Sequence, residues 1–154
     1  MIAEKVKEYG DKAVKDLIDN YNKLGLRASG RYARELKSVV TTSGTKTNLK
    51  ITGPIEAYFM ENGRRPNKIK TDGQIYFLCP IIKQWAEDKG FVLSSPWMTA
   101  KKIVNEGITV PNPHNPGGVI SDIINDQWFA KLNKIIGLDV ITRIESDVLK
   151  QFKS

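Results

Sequence analysis

The chain has 154 residues, 40% hydrophobic and 27% charged, with a net charge of +7, which suits one globular domain over residues 1–154 with a modest core. No apolar run approaches the length of a membrane span, and a single cysteine, Cys79, excludes an internal disulfide and any zinc spacing. The N-terminus "MIAEKVKEYGDK" is helical and charged in pattern and does not read as a signal peptide, so synthesis in a cytoplasm is expected.

Residues 2–24 predict an amphipathic helix. Ile2, Val6, Tyr9, Ala13, Leu17, Tyr21 and Leu24 recur at three- and four-residue steps, and Gly25 follows as a stop. Ser29 is placed to cap a short helix through "GRYAREL", with Tyr32 and Leu36 on its buried side. The pattern then becomes short, β-branched and alternating. "LKSVVTT" and "TNLKITG", separated by "SGTK", predict a hairpin over about 37–53 with Leu49 and Ile51 on one face and Asn48 and Lys50 on the other. Pro54 ends it. "IEAYFMEN" predicts a short helix with Tyr58 and Phe59 inward and Gly63 at its end.

Pro80 suits the first turn of a helix "PIIKQWAEDK", whose apolar side is Ile81, Trp85 and Ala86 and which closes at Gly90. Ser95 and Pro96 repeat the start signal for "WMTAKKIVNE", and Gly107 repeats the stop. "ITVPNPHNPGG" predicts an extended surface loop over 108–118. "VISDII" reads as a short strand or a helical turn. Asp126 is then expected to cap a closing helix over 126–152, carried by Trp128, Leu132, Ile135, Ile136, Val140, Ile144, Val148 and Phe152. The sum is an α+β fold. A small antiparallel sheet is packed by an N-terminal helix, two central short helices and a long C-terminal helix, with an exposed sheet edge.

The positive charge is concentrated. Residues 20–70 hold eleven basic and three acidic side chains, an excess of eight, so the rest of the chain carries −1. Much of this lies in "ENGRRPNKIK", where Arg64, Arg65, Lys68 and Lys70 surround Pro66. Such a segment suits a polyanion or an acidic protein surface. A small basic nucleic-acid-binding protein is therefore one reading. Against it, Tyr32, Tyr58 and Phe59 fall on the faces expected to be buried.

Catalytic chemistry is sparse. The chain lacks a phosphate-binding loop, a dinucleotide glycine fingerprint, a zinc protease motif and a nucleophile elbow. His114 is the only histidine, and nothing in the sequence brings it near Cys79. Asp122 and Asp126 could face each other on a helix, but such a pair more often marks a solvated helix start than a metal site. No enzyme activity, cofactor or metal site is expected.

Two stretches carry a resemblance. One is "ASGRYARELKSVV"; the other runs from "GPIEAYFMENGRRPNK" through "PIIKQWAEDKGF" to "TAKKIVNEGI". Together they resemble the tail-completion or neck proteins of tailed bacteriophages. The matching positions are Tyr58, Glu61, Gly63, Arg64 and Pro66, then Trp85, Lys89 and Gly90, then Lys102, Ile103, Glu106 and Gly107. "GGVISDIIND" and the closing helix are similar to the larger forms in crAss-like phages. The likeness spans residues 26–135 and departs from the pattern at Asn62 and in lacking a second proline near Lys70.

The resemblance implies a structural virion protein with no catalysis and no cofactor. It would form a ring of identical subunits in the neck or tail, joining portal or connector to tail, after synthesis in the host bacterial cytoplasm. Genomic DNA would pass through the ring without specific binding. A lumen rich in Lys and Arg would retard it, so the basic residues are expected to face protein. Arg64, Arg65, Pro66, Lys68 and Lys70 are the expected interface. Pro111, Pro113, His114 and Pro116 form a second candidate contact, and Gly63, Gly90 and Gly107 shape the loops. No membrane partner is expected.

Overall fold

A computed structural model describes residues 1–137. Helix α1 (Ile2–Lys23) buries Val6, Ala13, Leu17 and Tyr21, the three- and four-residue stripe of the sequence. It ends at Leu24 and Gly25, whose N–H groups bond back to Asn20 and Asn22. Helix α2 (Arg31–Glu35) is a single turn carrying buried Tyr32. Gly30 occupies its cap position, and Ser29 Oγ instead accepts from the Arg31 N–H at 3.3 Å.

Strands β1 (Lys37–Ser43) and β2 (Lys46–Thr52) form the expected antiparallel hairpin, joined by Gly44 and Thr45. The register pairs Ser38 with Ile51 and Val40 with Leu49, so these residues share the face turned toward α1. Gly10 allows α1 to lie close on that face. A Cβ there would stand 2.6 Å from Leu49 Cδ1 and 3.2 Å from Ser38 Cβ. Beside it, Lys7 Nζ and the Ser38 hydroxyl both donate to Asp11, tying helix to strand. Neither strand pairs with a third among the described residues.

Helix α3 (Glu56–Asn62) runs as expected to Gly63, but no residue in it is buried. Tyr58 is 58% exposed and Phe59 39%. Ala57 and Met60 are the side chains that meet the core. Seven residues give one narrow apolar edge, and Ala57 and Met60, three apart, occupy it.

Helix α4 (Asp72–Lys89) begins a full two turns earlier than Pro80 suggests, and Pro80 sits inside it. Its inward face is Ile75, Leu78 and Ala86, whereas Ile81 is half exposed and Trp85 only partly covered. The proline is tolerated because its ring faces solvent, where the unpaired carbonyl one turn back can reach water. Helix α5 (Pro96–Glu106) starts as predicted. The Ser95 hydroxyl accepts from the Met98 N–H at 3.2 Å, Pro96 follows, and Ala100 and Val104 are fully buried.

The core has two parts. Leu17, Tyr21, Leu26, Tyr32, Leu36 and Val119 form one cluster; Ile75, Leu78, Ala100 and Val104 form the other, between α4 and α5. Residues 119–123 make turns, and 126–137 are helical. The cap of that last segment is Asn125, one residue before the expected Asp126. Asn125 Oδ1 accepts from the Trp128 N–H at 3.1 Å. Val140, Ile144, Val148 and Phe152 lie outside the described residues.

Candidate functional site

The basic loop is shaped by two glycines with nearly the same conformation. Gly63 ends α3 at φ 78°, ψ −172°, and Gly107 ends α5 at φ 76°, ψ −164°. This region of backbone space is open almost only to glycine. Each exit turns the chain sharply, and the two exits meet. The Arg64 N–H donates to the Ile108 carbonyl at 2.8 Å, and the Ile108 N–H donates to the Arg64 carbonyl at 2.7 Å. The approach leaves no room for a side chain. A Cβ on Gly63 would lie 2.3 Å from Ile108 O, and one on Gly107 would lie 2.1 Å from Arg64 O.

The loop is held again just beyond. The Asn67 N–H donates to the Val104 carbonyl at 2.8 Å, and Arg64 Nη2 donates to Asn67 Oδ1 at 2.9 Å. Arg64 is thus half-buried and bound within its own loop, while Arg65, Pro66, Lys68 and Lys70 are exposed. Gly90, by contrast, closes α4 in the left-handed region at φ 83° with nothing within 4 Å of a Cβ.

Glu61 locks α3 to the chain that follows the proline-rich loop. Its carboxylate accepts from the Ile120 N–H at 2.8 Å and the Ser121 N–H at 3.3 Å. Asn115 donates to the Met60 carbonyl at 2.8 Å, and Asn20 of α1 donates to the carbonyls of Gly118 and Val119 at 3.0 and 3.2 Å. These side chains drive Val119 into complete burial. Buried amides of this kind carry no periodic signal. Glu61 was visible only as part of the motif.

Residues 108–118 do not run extended throughout. Asn112 and Asn115 bridge across Pro113 and His114, folding the loop back on itself. Pro111, Pro113, His114 and Pro116 remain exposed. The His114 ring stacks on Phe91 with centroids 6.2 Å apart, whereas Cys79 packs with the α4–α5 cluster. Asp122 and Asp126 join no group of three metal-ligating side chains among the described residues.

The sequence pattern concealed one surface. Residues 75–82, "IYFLCPII", are all apolar or cysteine, and a helix turns about 100° per residue. Ile75, Leu78 and Ile82 take the side facing α5, so Phe77, Pro80 and Ile81 must point away, with Tyr76 at the margin against Trp97. Phe77 is 72% exposed. Exposed Ile69 and the basic loop adjoin this stripe at the N-terminal end of α4. The signal was the unbroken apolar run; placing a helix start at Pro80 divided it.

No helix among the described residues is long and apolar enough to cross a membrane. Compared with protein-family models, with curated proteins and with solved structures, the chain matches none.

Proposed function

We propose that the chain is a structural virion protein that assembles into a ring in the neck or tail of a phage, joining portal or connector to tail. The observation that carries this reading is the Arg64–Ile108 pair. It unites the two halves of the neck-protein-like motif, "ENGRRPNK" and "TAKKIVNEGI", which lie far apart in the chain. Their union presents Arg65, Lys68 and Lys70 on a loop fixed at both ends, beside an apolar helix face. A fixed loop loses little entropy on docking, and its cations suit carboxylates on a neighbouring subunit or ring. Arg64 supports that loop from within.

The test is the double variant Arg65→Glu, Lys68→Glu, with Arg64 left in place. It should fold as the parent does and be absent from purified particles, whereas the parent is present in many copies by quantitative mass measurement. Particles that incorporate the variant normally would overturn the reading.

A second reading is favoured by one correction. Tyr58 and Phe59 are exposed on α3 rather than buried, so aromatic faces are available near a basic segment. A small nucleic-acid-binding protein would use them for stacking. Its mark is affinity for single- or double-stranded DNA that falls steeply with salt and weakens in Tyr58→Ala.

A further inference from the structure

We infer that the outer stripe of α4 pairs with the same stripe of a second copy of this chain, the two helices packed antiparallel about a two-fold axis. This goes beyond the virion reading and does not depend on it.

The first ground is apolar surface. A helix that is apolar all round is ordinarily buried all round. Over residues 75–82, one side of α4 is buried against α5. On the other side Phe77, Pro80 and Ile81 are exposed, and Tyr76, which leans on Trp97 at the edge of the stripe with ring centroids 4.4 Å apart, still leaves most of its surface in water. Scattered exposed apolar residues are normal, but a contiguous stripe of two aromatics, a proline and an isoleucine marks a contact surface.

The second ground is the distribution of charge along the stripe. Lys68 and Lys70 precede its N-terminal end and outnumber Asp72 of the first turn, while Glu87 and Asp88 lie exposed at its C-terminal end, where Lys89 is drawn off to the Gly25 carbonyl. The helix dipole has the same sense, positive at the start and negative at the finish. Parallel pairing would stack like on like. Antiparallel pairing sets each end against its opposite, which is the self-complementarity that a two-fold contact requires.

Register follows from the same residues. An axis level with position 79 places Phe77 against Ile81 of the second copy and brings the basic segment before each α4 toward the Glu87 and Asp88 end of the other. Each contact occurs twice. Each aromatic buries about 150–250 Å² when fully covered, so the stripe supplies less than the roughly 800 Å² per partner of a standard interface. The pair is therefore weak, with a dissociation constant on the order of micromolar. It suits a pool of free subunits whose apolar faces shield one another and then exchange for other partners.

Sedimentation of the purified chain over a wide concentration range tests this. The expected result is a monomer–dimer equilibrium that stops at the dimer. Phe77→Glu should weaken it at least ~30-fold, as for a central aromatic anchor, with the urea midpoint unchanged because Phe77 lies outside the core. Lys68→Glu with Lys70→Glu should weaken pairing, as should Glu87→Lys with Asp88→Lys. An equimolar mixture of those two double variants should restore it, since both end contacts become complementary in the mixed dimer. A chain that stays monomeric throughout, association that continues past two copies, or a dimer indifferent to Phe77→Glu would each overturn the proposal. So would failure of the mixture to restore pairing. Incorporation into particles is read separately, so this inference and the virion reading can fail independently.

Discussion

Arg64 and Ile108 exchange both of their backbone hydrogen bonds, at 2.8 and 2.7 Å, although all of α4 and α5 lies between them in the chain. The pair exists because the residue before each one is a glycine in a conformation other residues avoid. Two helix ends, remote in sequence, thereby become one rigid corner that displays the basic loop.

Gly63→Ala and Gly107→Ala should each cost about 3 kcal/mol or more. The backbone strain alone is about 1–3 kcal/mol, and each new Cβ collides with a carbonyl oxygen that cannot swing aside. Gly90→Ala is the internal control. It also has positive φ but open space around it, so only the strain cost of about 1–2 kcal/mol should appear. Urea denaturation of the three variants separates collision from strain; equal losses would contradict the crowded corner.

Glu61→Ala should destabilise the fold by about 2 kcal/mol, since the carboxylate accepts two backbone N–H bonds that hold residues 120 and 121. Glu61→Gln should lose less, because one amide oxygen can still accept. The local mark is faster hydrogen exchange at the Ile120 amide in Glu61→Ala. Unchanged protection there would argue that Val119 is held by packing alone.

Tyr32 is buried, and its hydroxyl has no hydrogen-bond partner among the described residues. Burial first, then the charge of Glu61 and the nearness of Tyr21, push its pKa up from 10.0 to about 12. A phenol that holds its proton longer when folded contributes stability below pH 10. That contribution is lost as the pH climbs toward 12, because the unfolded chain ionises first. The urea midpoint should therefore fall more steeply over that range in the wild type than in Tyr32→Phe. At neutral pH, Tyr32→Phe should be neutral or stabilising by up to about 1 kcal/mol, since it removes an unsatisfied buried group.

Pro80→Ala should stabilise the isolated chain by about 1–3 kcal/mol, because a proline inside a helix removes one hydrogen bond and crowds the preceding turn. Thermal unfolding followed by helical circular dichroism measures it. A lower melting temperature would mean that the ring of Pro80 packs against something that alanine cannot replace.

Much of the fold was legible in the order of the residues. The α1 stripe, the hairpin, the Ser95–Pro96 start of α5 and the glycine stops at 25, 63, 90 and 107 all stand where local chemistry put them. Legibility failed where short-range rules conflicted. Pro80 read as a helix start because proline suits a first turn, yet the apolar run before it was already helical. Tyr58 and Phe59 read as core because they are large and apolar, but α3 turns the edge bearing Ala57 and Met60 inward, which leaves both rings exposed.

The sequence by itself determined the elements, their hydrophobic faces and the concentration of positive charge, because each depends on residues within a few positions of one another. Only the tertiary structure decided that the chain leaving Gly63 meets the chain leaving Gly107, that Arg64 serves its own loop while Arg65 faces outward, and that half of α4 is left uncovered. Those outcomes depend on which surfaces remain once distant segments have packed, and no spacing along the chain encodes that remainder.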